Sequence, residues 1–337
     1  MLTTLKGLAA QVTQAHVLPK HRVLRDLLLY ICGPTSMLYT EGAMWKRART
    51  LFNPGFAIGH LMTLVPSIVE DCLNFRQILS RHADSGEILQ IESAARLLAI
   101  DVMGRIALDH PLKSLVSKNE LASAFLDAVT ITPNIDNPFD LSSFNPILHF
   151  KRRYYEWKMN KYLEKVLDNR LKARNMVNEN PLGNKKGRKP VIDLALDEYI
   201  AQQKEEGRPG RVSQSDRDFK SFAIDQMKTF LLAGHDTTSS ALAYTYYLLG
   251  HHPAALEKLR KEFDDVFGTD SSLTASRIIS EAHLVNKLDF ATACIKGIYC
   301  DPYYALVHIA LLCLRLNLKN MICFLTILGG FPYLSHL

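Results

Sequence analysis

Ala233-Gly234-His235-Asp236-Thr237-Thr238 puts two small residues, an acid and two hydroxyls in order within a long stretch of helical apolar periodicity. On propensity these are poor helix-interior choices. Gly costs about 1 kcal/mol against Ala, and Asp and Thr compete for backbone hydrogen bonds. Ala233 and Gly234 have almost no side-chain bulk, so a flat or diatomic ligand can lie against that turn. Asp236 and Thr237 can divert backbone hydrogen bonds and open a local bulge. An acid beside a hydroxyl at such a pocket makes a proton relay. Read alone, the same residues serve equally as a packing notch with one exposed acid.

A second constellation is Trp45-Lys46-Arg47-Ala48-Arg49. Trp45 and Arg49 are four apart and share one helix face. An indole N–H and a guanidinium side by side suit a carboxylate. An ordinary Trp–Arg stacking pair has the same spacing.

The elements that position these groups read as helices. The chain has 337 residues, of which 47% are hydrophobic and 22% charged, and it holds only 17 Gly and 14 Pro. Period-2 alternation is scarce, so the fold class is mainly α with little β. A short helix is expected near Leu5 to Gln14, and Leu24 to Ile31 ends at the Cys32-Gly33-Pro34 turn. Thr40 is the expected N-cap of the Trp45 helix, which Asn53-Pro54-Gly55 stops. His60 to His82 and Ile88 to Leu108 flank an Asp84-Ser85-Gly86 turn, and Lys118 to Val129 is a shorter helix. Thr132 to Pro146, Pro181 to Pro190 and Glu205 to Arg211 read as loops around helices at Lys151 to Met176 and Val191 to Lys204. Ser213 or Ser215 opens the long helix that runs to Gly250, and His252-Pro253 starts the next, ending near Gly268.

A net charge of +6, with both signs interleaved, predicts a solvated mixed surface and no nucleic-acid partner. The six cysteines, Cys32, Cys72, Cys294, Cys300, Cys313 and Cys323, form no C-x-x-C pair, and reduced thiols are expected. No metal-ligand set is expected from their spacing. Residues 1–21 contain neither a signal-peptide core nor a span. Arg315, Asn317, Lys319 and Asn320 break the apolar run from Tyr303 to Leu328.

Taken together, Trp-x-x-x-Arg, then Phe52-Asn53-Pro54-Gly55-Phe56, and far downstream Ala-Gly-x-Asp-Thr-Thr resemble the cytochrome P450 family. Tyr247-Leu248-Leu249, His252-Pro253, Lys258-Leu259-Arg260-Lys261-Glu262 and Val266-Phe267-Gly268 extend the resemblance, which is closest to fungal microsomal-type members. It implies an incomplete P450-type helical fold, from helix B to helix J and the start of K. By resemblance, Trp45 and Arg49 hold a haem propionate, and Ala233 and Gly234 lie over the distal haem face. Thr237 stabilises bound oxygen, Asp236 supports proton delivery, and His235 packs or tunes polarity rather than binding iron. The implied activity is haem-dependent monooxygenation of a hydrophobic organic substrate with O2 and electrons from NADPH-cytochrome P450 reductase. The implied location is the cytosolic face of the endoplasmic reticulum membrane. A cytoplasmic location is the alternative, since residues 1–21 hold no anchor.

The resemblance stops after Phe290-Ala291-Thr292-Ala293-Cys294-Ile295-Lys296. Gly297 and Cys300 stand where the family has Glu-x-x-Arg, and no cysteine lies in a Phe-x-x-Gly-x-Arg-x-Cys-x-Gly loop. That loop carries the axial thiolate whose electron push favours O–O cleavage. Residues 1–296 are therefore expected to form a partial P450-like domain, and 297–337 an unrelated apolar tail. A Glu codon split by a retained intron would produce this junction. The chain as given is expected to be truncated, poorly stable and inactive. The alternatives are a non-catalytic helical module without haem, or a protein associating with membranes through its tail.

Overall fold

Gly and Pro punctuation sets most of the observed helix ends. The computed structural model describes residues 19–132, 145–179, 190–205 and 217–300. Leu5 to Gln14, most of the loops expected at Thr132 to Pro146, Pro181 to Pro190 and Glu205 to Arg211, the helix start expected at Ser213 or Ser215, and the tail beyond 300 lie outside them. The helices are α1 (Arg22–Cys32), α2 (Gly42–Phe52), α3 (Ile58–Ser85), α4 (Ile91–Leu108), α5 (Glu120–Thr130) and α6 (Pro146–Glu179). They continue as α7 (Val191–Glu205), α8 (Arg217–His251), α9 (Pro253–Phe267), α10 (Thr274–Ser280) and α11 (Asp289–Cys300). Short 3₁₀ turns follow α2 and α10, at Asn53–Phe56 and Ala282–Lys287. Among the described residues there is no strand, in agreement with the mainly α reading.

Gly86, in the left-handed region at φ 71°, ends α3 with its N–H donated to the His82 carbonyl. Pro253 opens α9, where its missing N–H costs nothing. Asn119 caps α5 by accepting from the Leu121 and Ala122 N–H groups at 2.8 and 3.1 Å. One cap differs from the sequence reading. Glu41, not Thr40, is the N-cap of α2, and its side chain makes no capping bond. The Thr40 hydroxyl is committed instead to the Ser36 carbonyl, at 2.8 Å, where it closes the preceding turn.

The core is built around α4 and α8. From Leu98 to Leu108 every residue of α4 is buried, so this helix is covered on all sides rather than along one stripe. It packs along α8, whose 35 residues extend about 52 Å at 1.5 Å per residue. The amphipathic α9 buries Leu256, Leu259, Phe263 and Phe267. No single helix among the described residues is long and apolar enough to cross a membrane. The bent pair Gly42–Phe56 and Ile58–Ser85 passes on length and composition together. Its apolar residues, among them Leu51, Phe52, Leu61, Leu64 and Ile68, are buried in the core.

Candidate functional site

Helix α2 presents one half of the site. Ala48, Leu51 and Phe52 anchor its inner face in the core. On the other side Trp45 is 41% exposed, so the indole remains reachable. The Arg49 guanidinium lies 5.8 Å from the centre of the Trp45 ring, a cation–π arrangement. Lys20 Nζ is also 5.8 Å from that ring, and it donates to the Met37 and Thr40 carbonyls at 2.7 and 2.9 Å. Arg49 pairs with no carboxylate among the described residues. An unneutralised guanidinium fork beside an indole is a receptor for a planar anion.

Helix α8 presents the other half. Ala233, Gly234, His235 and Thr237 are buried and Asp236 is exposed. Ala233 and Thr237 share a face, and the Thr237 hydroxyl donates to the Ala233 carbonyl at 2.9 Å. The helix runs unbroken through residues 233–238, so the bulge that the polar residues could open does not form. Thr237 bonds back along the helix without displacing the backbone ladder.

The remaining motif residues point elsewhere. A Cβ added to Gly234 would stand 2.3 Å from Met103 Cγ on α4, so this glycine lets two helices approach. His235 is buried edge-to-face against Phe125 of α5, with ring centroids 4.8 Å apart. Its Nδ1 faces the Leu232 and Leu231 carbonyls at 2.9 and 3.2 Å. Carbonyls only accept, so Nδ1 carries the proton. Burial lowers the His235 pKa, partly countered by the charge of Asp236, which favours the neutral ring. The packing role expected for His235 agrees with this geometry. Asp236 and Thr237 are not joined by a hydrogen bond among the described residues. The structure brings the hydroxyl to the small-residue turn and leaves the acid at the surface.

The two halves meet through aromatic packing. Phe52, one turn beyond Arg49, stacks edge-on to Phe230 at 5.3 Å and lies 6.1 Å from Phe222. Phe56 adds a contact with Phe230 at 4.9 Å. Phe230 stands one turn before Ala233. Each half is thus a single helical turn from a shared hinge of rings.

Sequence reasoning missed the polar groups that hold this arrangement. Asp225, Gln226, Lys228 and Thr229 are buried in the first half of α8; Asp225, Gln226 and Thr229 bind the loop between α1 and α2, and Lys228 pairs with Asp225 and Asn160. Asp225 and Lys228, charges three apart in the run Phe222–Leu231, were the available signal. Burial pushes the Cys32 thiol up to about 12 and raises that of Cys294, and Cys72 is buried.

Comparisons with known proteins bear on the family and the fold. The family model for cytochrome P450 matches residues 15–297. The chain is 35% identical over 300 residues to cytochrome P450 monooxygenase polC of Polytolypa hystricis, covering 88% of this chain and 51% of that protein. It is 36% identical over 290 residues to cytochrome P450 monooxygenase acrF of Aspergillus aculeatus, covering 86% and 55%. The chain thus spans about half the length of the curated relatives it matches. A solved cytochrome P450 structure, CYP102L1, superposes with a TM-score of 0.56 at 17% identity, covering 80% of this chain and 56% of that one. That likeness concerns the fold alone. The family model over residues 15–297 and these two fungal relatives lead to one conclusion: the chain belongs to the cytochrome P450 family.

Proposed function

We propose that this chain carries the oxygen-side half of a haem monooxygenase acting on a hydrophobic organic substrate. The observation that carries the reading is the unneutralised Arg49 beside Trp45, linked through Phe52 and Phe230 to the Ala233–Thr237 turn. These residues fit one face and one carboxylate edge of a haem. They do not include its axial ligand, because no cysteine of the 337 lies in the family's ligand loop.

Bound haem would supply the redox chemistry that activates O2 for insertion into a C–H bond. The residues of this chain orient and gate. Arg49 and Trp45 would hold a propionate carboxylate. Ala233, a small buried side chain, would face the group with little bulk. Thr237 presents oxygen lone pairs on the same face while its proton rests on the Ala233 carbonyl. The exposed Asp236 carboxylate stands at the preceding position, open to solvent. Electrons would come from an NADPH-linked reductase, and the cytosolic face of the endoplasmic reticulum is the location that suits such a partner.

The 337 residues by themselves are expected to bind haemin without thiolate ligation and to turn over no substrate. Titrating the full chain with haemin and recording the reduced carbon-monoxide spectrum tests this. A thiolate-type band overturns the inactive reading. Absence of any haemin binding overturns the haem reading in favour of a non-catalytic helical module.

A further inference from the structure

The loop from Gly33 to Thr40 carries the chain from α1 to α2, and its inner side is fastened to α8 by buried polar groups. Asp225 Oδ2 accepts from the Thr35 N–H at 2.9 Å and from the Thr35 hydroxyl at 2.8 Å. Gln226 brackets the same loop, accepting from the Met37 N–H at 3.1 Å and donating to the Thr35 carbonyl at 2.6 Å. The Ser36 and Thr229 hydroxyls bond at 2.7 Å. Gly33, at φ 80°, brings the backbone so near that an added Cβ would collide with the Asp225 carboxylate.

Behind this carboxylate sits Lys228, with no exposed surface, its Nζ 3.1 Å from Asp225 Oδ1 and donating to Asn160 Oδ1 at 2.8 Å. Burying such a pair gains little net stability against its apolar replacement, but removing one partner leaves a costly unpaired charge. The pair accepts only one loop register, because Asp225 needs both donors of Thr35 and Gln226 needs both backbone groups. Beyond the loop, Lys20 ties the Met37 and Thr40 carbonyls to the Trp45 ring. An unbroken chain of contacts therefore runs from α8 through the loop to the cationic frame around Trp45.

We infer that the Asp225–Lys228 pair is a latch that holds loop 33–40 on α8 and so positions Trp45 and Arg49 to receive a carboxylate-bearing planar ligand. This rests on the haem reading for the identity of that ligand. Asp225 and Lys228 are positioning residues in this scheme. Asp225 stands eight residues before Ala233, about 12 Å along the helix, outside the turn that faces the ligand.

The test uses the full chain carrying Trp157→Phe, so that Trp45 is the single indole. Iodide, an anion, and acrylamide, which is neutral, are compared as quenchers of Trp45 fluorescence. With the latch intact, the cations beside the ring favour iodide. Asp225→Asn is expected to lower the iodide-to-acrylamide ratio about twofold and to speed amide exchange in peptide 33–40 about tenfold relative to an α4 peptide. Thr35→Val, a milder change that removes one hydroxyl, is expected to move both readouts the same way by less. Haemin affinity should fall more than that of haemin dimethyl ester, which lacks the free carboxylates. An unchanged ratio, or exchange rising equally in α4, overturns the latch. Equal loss for both porphyrins overturns its link to the carboxylate site. Failure of the parent, with its latch intact, to bind either porphyrin overturns the haem reading and the ligand part of this proposal. The quenching and exchange results then still judge the latch itself.

Discussion

Gly234 of α8 faces Met103 of α4 so closely that a methyl group on the glycine would stand 2.3 Å from the Met103 Cγ. The two longest-buried helices of the fold touch here. Gly234→Ala is therefore expected to cost about 1–3 kcal/mol through overpacking, read as a lower midpoint in chemical denaturation. Met103→Ala, which opens the same space, should recover most of that loss in the double variant. Additive losses would show that Gly234 is not held by this contact.

The same contact marks what the sequence could and could not reveal. The small residues of Ala233-Gly234 were visible as an anomaly in a helix, but their separate duties were not. Ala233 accepts from Thr237 within one turn, which spacing predicts, whereas Gly234 is dictated by a residue 131 positions away. Helix ends at Gly86 and Pro253 were legible because the punctuation is local. Thr40 misled for the same reason, since its hydroxyl serves the turn behind it rather than the helix ahead. Asp225 and Thr35 meet across 190 residues, and no local pattern encodes that pairing.

Glu262 of α9 caps a helix that is not its own. Its Oε1 and Oε2 accept from the Phe290 and Ala291 N–H groups, at 2.6 and 2.9 Å, at the start of α11. A carboxylate at a helix N-terminus satisfies orphan donors and meets the positive end of the dipole. Glu262→Ala should cost about 1–2 kcal/mol, and Glu262→Gln, which keeps one acceptor, about half of that. Amide exchange in the peptide starting at Asp289 should rise more than in α9 itself. Protection lost equally in both helices would contradict a capping role.

Asp71 gives the fold a pH dependence of definite sign. It lies 2% exposed between α3 and α4, bonded to Arg105 Nε at 2.5 Å, while Arg105 Nη2 reaches Glu70 at 2.8 Å. Burial raises its pKa from 3.8 to about 6, with Arg105 pulling it back. Between those values the folded chain keeps a proton that the unfolded chain has released. The contribution is full below pH 3.8 and is lost as pH rises through about 6. The loss is on the order of 2–3 kcal/mol. Asp101 shifts the same way, so the comparison must be with Asp71→Asn. The difference between the two stability curves should shrink from pH 4 toward pH 7, and a flat difference would exclude Asp71 as its source.

Arg49 is where charge should matter to binding and hardly at all to folding. It is partly exposed, stacks on Trp45 and balances no carboxylate among the described residues. Arg49→Gln removes the charge and the fork while keeping much of the stem. Charge-assisted hydrogen bonds contribute about 1.5–3 kcal/mol, so haemin affinity should fall by about tenfold or more. Arg49→Lys retains the charge without the bidentate geometry and should fall between the two. Haemin dimethyl ester should bind all three chains alike, because the group that Arg49 recognises has been masked. Denaturation midpoints should stay within about 0.5 kcal/mol of the parent, as for a surface substitution. A fall in haemin affinity matched by an equal fall for the ester would move Arg49 from carboxylate recognition to the general packing of α2.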